Sequence, residues 1–114
     1  MIRWVLVVIM AVHGLIHAMG GFNELGIAKP EGITGRTIVP ISDNTRRVLG
    51  VVWLIIVVLF LVAAIGLAVN WSGWLIFAIA ALVISQTLII IWWPDAKFGT
   101  IANILIIVGI ILIR

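Results

Sequence analysis

Four stretches of the chain are apolar almost throughout, and one long and two short polar interruptions separate them. The stretches run over about residues 2–22, 46–69, 74–93 and 98–113. About 20 consecutive apolar residues span the roughly 30 Å hydrocarbon core of a bilayer as a helix, so the first three are long enough to cross. At about 1.5 Å per residue the fourth falls slightly short of a full span. The pattern predicts an all-α, polytopic membrane protein: a single four-transmembrane-helix bundle over 1–114. Arg3 and Trp4 read as an interfacial anchor, and Trp92 and Trp93 as part of an aromatic belt. The first stretch is too long for a cleaved signal and is read as a retained span.

The interruptions set the topology. Residues 23–45 form the one long polar segment, carrying Glu24, Lys29, Glu31, Arg36 and Asp43, with Arg46 and Arg47 following directly. Pro30, Gly32, Gly35 and Pro40 break any regular element there, so a surface loop is expected, with a short re-entrant or interfacial piece at Ile38 to Ile41. Ser42, Asp43 and Asn44 are all good N-cap types, and one of them is expected to open the second helix. Asn70-Trp71-Ser72-Gly73 and Pro94-Asp95-Ala96-Lys97 read as tight connections between antiparallel neighbours. Four spans place both termini on one side with Arg3 and Arg114. Lys29, Arg36, Arg46, Arg47 and Lys97 lie on the other. The positive-inside rule then makes the long loop cytoplasmic, with both termini outside the cell (inner or plasma) membrane.

Composition strengthens this picture and closes off others. Hydrophobic residues make up 65% and charged residues 10%, against about 25% charged in soluble domains. The net charge of +3 is confined to loops and ends, which is not the basic patch of a nucleic-acid-binding protein. The chain has no cysteine, so thiolate ligands and disulfides are excluded. It has no nucleotide-binding glycine loop, nucleophile elbow or zinc-protease helix, and an enzymatic role is not the expected one.

The candidate chemistry lies in the few polar residues inside the apolar stretches. His13 and His17 sit four apart and share one helical face with Gly20, and with Glu24 if the helix continues past Gly21. Ionisable residues within a membrane span are rare and mark functional sites by default. Ser85-Gln86-Thr87 interrupts the third stretch and Asn103 the fourth. His13, His17, Glu24, Gln86, Asp95 and Asn103 are therefore the expected lining of a polar vestibule at one end of the bundle. The competing reading makes the same residues interhelical glue, worth about 1 kcal/mol or less per bond. His13 and His17 are also the only imidazoles available to a metal or haem, but they supply two ligands where zinc takes three or four, so Glu24, Asp43 or Asp95 would have to complete the set. Asp95 is expected to cap free amides at the start of the fourth helix. The adjacent Arg46 and Arg47 are a candidate pair for a lipid headgroup phosphate. Gly14, Gly20, Gly21, Gly66 and Gly109 are expected to let helices approach closely.

The run His13-Gly14-Leu15-Ile16-His17, the Pro40-Ile41-Ser42 before the second helix, and Ser85-Gln86 followed by Asp95 to Asn103 resemble a family of uncharacterised bacterial and archaeal four-helix integral membrane proteins. That family also occurs as the membrane part of longer chains. The resemblance spans nearly the whole sequence; it implies a four-helix membrane domain and no particular activity.

Three functions fit these readings. The first is a small membrane protein, expected to be a homo-oligomer in the lipid bilayer, that binds or transports a small solute or proton through the vestibule. The second is a membrane redox or enzyme subunit that holds a metal, haem or quinone at His13 and His17. The third is a structural or accessory subunit of a larger membrane complex.

Overall fold

The computed structural model describes all residues from 1 to 114 and is helical throughout, with no strand. The helices are α1 (Ile2–Leu25), α2 (Asp43–Ala68), α3 (Trp74–Ile91), the single turn α4 (Trp93–Ala96) and α5 (Gly99–Ile113). Three of them, α1, α2 and α3, are long and apolar enough to cross a membrane, and α5 is a shorter apolar helix of 15 residues. The long axis measures 41 Å, enough for a hydrocarbon core of roughly 30 Å and part of the polar layers beside it.

Local chemistry explains where the helices begin and end. α1 runs three residues beyond the expected Phe22 and stops at Gly26, whose φ of 72° is the left-handed conformation glycine adopts at little cost. The Ile27 amide then bonds back to the Phe22 carbonyl at 2.9 Å. The extension carries Glu24 into the helix, on the face of His13 and His17. Ser42 caps α2, its hydroxyl accepting from the Thr45 amide at 3.2 Å, and Asp43 sits in the first turn where the helix dipole favours a carboxylate. α3 ends at Ile91, two residues sooner than expected, because Pro94 has no amide hydrogen and its ring would strike the preceding turn. Proline suits a first turn, so the expected tight connection at 94–97 becomes the one-turn helix α4.

The break at Pro94 also separates the two tryptophans expected in one aromatic belt. Trp93 is exposed, but Trp92 is 3% exposed and packs edge-to-face on Trp53, with ring centroids 5.7 Å apart. The 38–41 segment forms no re-entrant helix. It crosses the end of α3, where the Ile38 amide donates to the Ile91 carbonyl at 2.9 Å.

The long helices pack in the cyclic order α1, α2, α3, α5, with α1 against α2 the most extensive pairing. Glycine makes that pairing close. A Cβ on Gly14 would lie 2.6 Å from Phe60 Cβ, and one on Gly21 would lie 2.6 Å from Leu54 Cδ2 and 3.0 Å from the Gly50 carbonyl. Met10, Ile56, Phe60, Ala63, Ala78, Ala81 and Ile106 are completely buried and fill the half of the interior remote from the long loop. The outer surface carries Val8, Val12, Val58, Ile65, Ile76, Val83, Ile104 and Ile111, all at least half exposed. An apolar exterior on this scale exceeds what a soluble monomer presents to water and is compatible with a membrane protein.

Replacing Gly14 by leucine is expected to lower stability by about 1–3 kcal/mol through overpacking against Phe60. A thermal midpoint in mild detergent that matches the wild type would show that α1 and α2 are not in close contact there.

Candidate functional site

The buried polar side chains gather at the end of the structure covered by the long loop. Seven turns of α1 bring His13 and His17 inward on successive turns, 6% and 3% exposed, with ring centroids 4.5 Å apart. Ser85 of α3 and Asn103 of α5 face them and are also buried. His17 Nδ1 lies 2.7 Å from the His13 carbonyl oxygen, which can only accept, so Nδ1 carries the hydrogen. His17 Nε2 is then an acceptor, and Ser85 Oγ donates to it at 2.7 Å. Asn103 Nδ2 donates to Ser85 Oγ at 3.2 Å and to Gln86 Oε1 at 3.0 Å. Asn103 Oδ1 accepts from His13 Nε2–H at 2.8 Å. Gln86 Nε2 completes the series with a bond to Thr100 Oγ1 at 3.1 Å. Hydrogen positions here follow from the requirement that each donor meets an acceptor.

One direction of donation therefore runs through the whole network, and it leaves a single imidazole valence open. His13 Nδ1 is an acceptor with no bonding partner, and it retains some accessible surface. The His13 side chain belongs to the wall of a cavity of about 370 Å³. Small-molecule sites are concave, mostly apolar and of about 300–1,000 Å³, so the cavity lies at the small end of that range. Its floor is His13, His17 and Gly20 of α1 with Trp53 of α2; Ile89 and Trp92 form one side, Gly99 and Ala102 of α5 another. Asp95, Ala96 and Ile33 close it at the loop end, and Ile16 and Phe98 lie at its exposed rim. The indole nitrogens of Trp53 and Trp92 are buried without a hydrogen-bond partner.

The loop is fastened over this end by two carboxylates. Asp95 Oδ1 accepts from the Thr34 hydroxyl at 2.7 Å and the Thr34 amide at 3.0 Å, and Oδ2 accepts from the Gly35 amide at 2.7 Å. Asp95 thus caps amides as expected, but those of the loop rather than those of the fourth long helix. Glu24 Oε1 pairs with Arg46 Nη1 at 3.0 Å, and the same nitrogen donates to the Gly35 carbonyl at 2.9 Å. Gly35 is held at both ends, at a φ of 74° that disfavours any other residue. The arginine pair is divided by this arrangement: Arg46 is engaged within the protein, and Arg47 is exposed.

Of the six residues expected to line a vestibule, His13, His17, Glu24 and Asp95 reach the cavity wall. Gln86 and Asn103 stand behind the histidines and act on them through hydrogen bonds. Trp53, Trp92 and Ser85 belong to the site but not to the expected set. Ser85 lies within the polar triplet; Trp53 shares a helical face with Arg46 and Gly50 at i, i+4 and i+7, and Trp92 reads in sequence like its neighbour Trp93. No three His, Asp or Glu side chains come together as metal ligands, and both nitrogens of His17 are already bonded. No family model, curated protein or solved structure matches the chain.

Polar contacts between membrane helices average about 0.6 kcal/mol each. Asn103→Ala, which removes three of them, is expected to cost about 2 kcal/mol, and Thr100→Val, which removes one, under about 1 kcal/mol. Thermal midpoints in one detergent check the ranking, and equal losses would contradict the central place given to Asn103.

Proposed function

We propose that the chain is a multi-pass membrane protein in which all four long helices cross the bilayer, and that it binds a small solute in the cavity beneath the 26–42 loop. The observation that carries this reading is that His13 lines that cavity and keeps one unbonded acceptor, Nδ1, when every other imidazole nitrogen is bonded. Residues serving only to glue helices together need no cavity beside them and no free valence.

Binding is favoured over conduction through the bundle. Beyond the histidines the interior is filled by Met10, Phe60, Ala63 and Ile106, none of them exposed, so no polar path continues to the far end. A site entered and left from one side suits a binder or a receptor of solute. His13 can also take up a proton at Nδ1 while its Nε2–H still serves Asn103. His17 has no such freedom, because Nε2 is occupied as the acceptor of the Ser85 hydroxyl. If the site handles protons, His13 is the group that does so. A metal or haem is the weaker reading, since only one imidazole nitrogen is unoccupied. The excess of Lys and Arg at the loop end favours placing that end in the cytoplasm.

The test is to fill the cavity without touching the network. Ala102→Leu adds bulk to the wall opposite the histidines. Native mass spectrometry of the wild-type protein, released from mild detergent, is expected to show a small-molecule adduct that Ala102→Leu loses with its thermal midpoint unchanged. An adduct-free wild type that neither gains stability from small solutes nor responds to Ala102→Leu would sink the reading.

A further inference from the structure

The cavity's own chemistry narrows what it takes. We infer that it accepts a lipid-soluble hydroxylated aromatic molecule, of the phenol or quinol type, which enters from the bilayer between α1 and α5. This rests on the binding reading given above.

Three features point to that class. The first is hydrogen bonding. His13 Nδ1 offers a lone pair and needs a donor. The indole N–H groups of Trp53 and Trp92 are buried and turned away from the space, so the tryptophans offer it ring surface and not a donor. A ligand hydroxyl can donate to the imidazole without bringing a charge into a mostly apolar wall. A carboxylate offers no donor, and an ammonium would bury a charge with no unpaired carboxylate to meet it. The carboxylates at the loop end do not change this, because Asp95 is filled by Thr34 and Gly35, and Glu24 by Arg46 and Asn23.

The second feature is the shape of the wall. Trp53, Trp92 and Phe98 give three aromatic faces around the space, with two imidazoles beside them. Flat aromatic rings pack well against such faces, and each good pair contributes beyond its buried area. The third is the rim. Its exposed residues are Ile16 at 54% and Phe98 at 73%, both apolar. In a bilayer these lie in the surface that meets lipid, so the mouth opens toward a hydrocarbon phase. A solute arriving through it is one that dissolves there. A water-soluble sugar or amino acid would instead have to pass the loop, which is fastened at Gly35 from both sides.

Phenol and its methyl ether, anisole, separate these ideas, because they share the ring and differ in the donor. Binding of each to the purified full-length protein is followed by saturation-transfer NMR and by tryptophan emission. Phenol is expected to bind about tenfold more tightly than anisole, equivalent to about 1.4 kcal/mol, with the preference lost in His13→Gln. That variant keeps an N–H within reach of Asn103 and removes Nδ1; the acceptor it brings, Oε1, is attached one carbon further from the backbone. Ala102→Leu is expected to weaken both probes. Equal binding of phenol and anisole to the wild type, abolished in Ala102→Leu, would overturn the hydroxylated class and leave the cavity a binding site. Saturable binding of neither probe to the wild type overturns the class as well, and an adduct absent from native spectra would then remove the binding reading with it. A phenol preference that survives in His13→Gln would show that Nδ1 is not the recognising atom. The comparison on the wild type stands by itself if His13→Gln fails to fold.

Discussion

A carboxamide buried among aliphatic side chains must find partners for its donors and its acceptor, and Asn103 finds them on two other helices. It takes a hydrogen from His13 on α1 and gives hydrogens to Ser85 and Gln86 on α3. With no water in an apolar interior, the penalty for leaving any of these groups alone exceeds the gain from pairing it. The network is therefore less a source of attraction than a condition on assembly. Helices α1, α3 and α5 satisfy it in one relative register, and slippage by a turn would strand several polar groups at once. The remaining long helix, α2, contributes none of these bonds. It is placed by shape instead, with Gly14 and Gly21 of α1 bringing the two backbones close and Phe60 and Leu54 seated where side chains would otherwise stand.

These two devices together make the cavity. Large rings on α2 and in the connection after α3 meet the glycine face of α1: Trp53 rests on Gly20, where an added Cβ would lie 2.8 Å from the ring, and Trp92 rests on Trp53. Rings stacked in this way hold the helices apart beside the histidines while aliphatic side chains close the rest of the interior. α4 then turns the chain so that α5 starts from Gly99, beside His13, where a larger residue would meet Ile89 at 2.9 Å. The space results from large residues set against small ones, and its polarity from His13, His17, Glu24 and Asp95 in its wall.

Much of this was legible in the amino-acid sequence, and the limits of what was legible have physical causes. The apolar stretches reveal the helices because length and hydropathy are properties of a single segment. The i, i+4 histidines reveal an inward face, and Ser42 reveals a helix start, for the same reason. Pairings between segments are another matter. That Asp95 holds Thr34 and Gly35 depends on two stretches about sixty residues apart, with nothing in either that names the other. Trp92 and Trp93 look alike in sequence; the proline after them ends the helix and sends one ring inward and the other out. The roles of Gln86 and Asn103 as supports behind the histidines, not as wall residues, likewise depend on how α3 and α5 are rotated about their axes.

The spacing of the network along the chain has a consequence for synthesis. His17 meets Ser85, 68 residues later, and His13 meets Asn103, 90 residues later. A ribosome delivers these groups in order, so the first histidine is made long before the residue that completes it exists. Until Asn103 is made, the His13 imidazole lacks that partner, and α5, the shortest of the four long helices, is the one that supplies it. Closure of the network is thus assigned to α5, whose Asn103 joins the histidine side to the serine side.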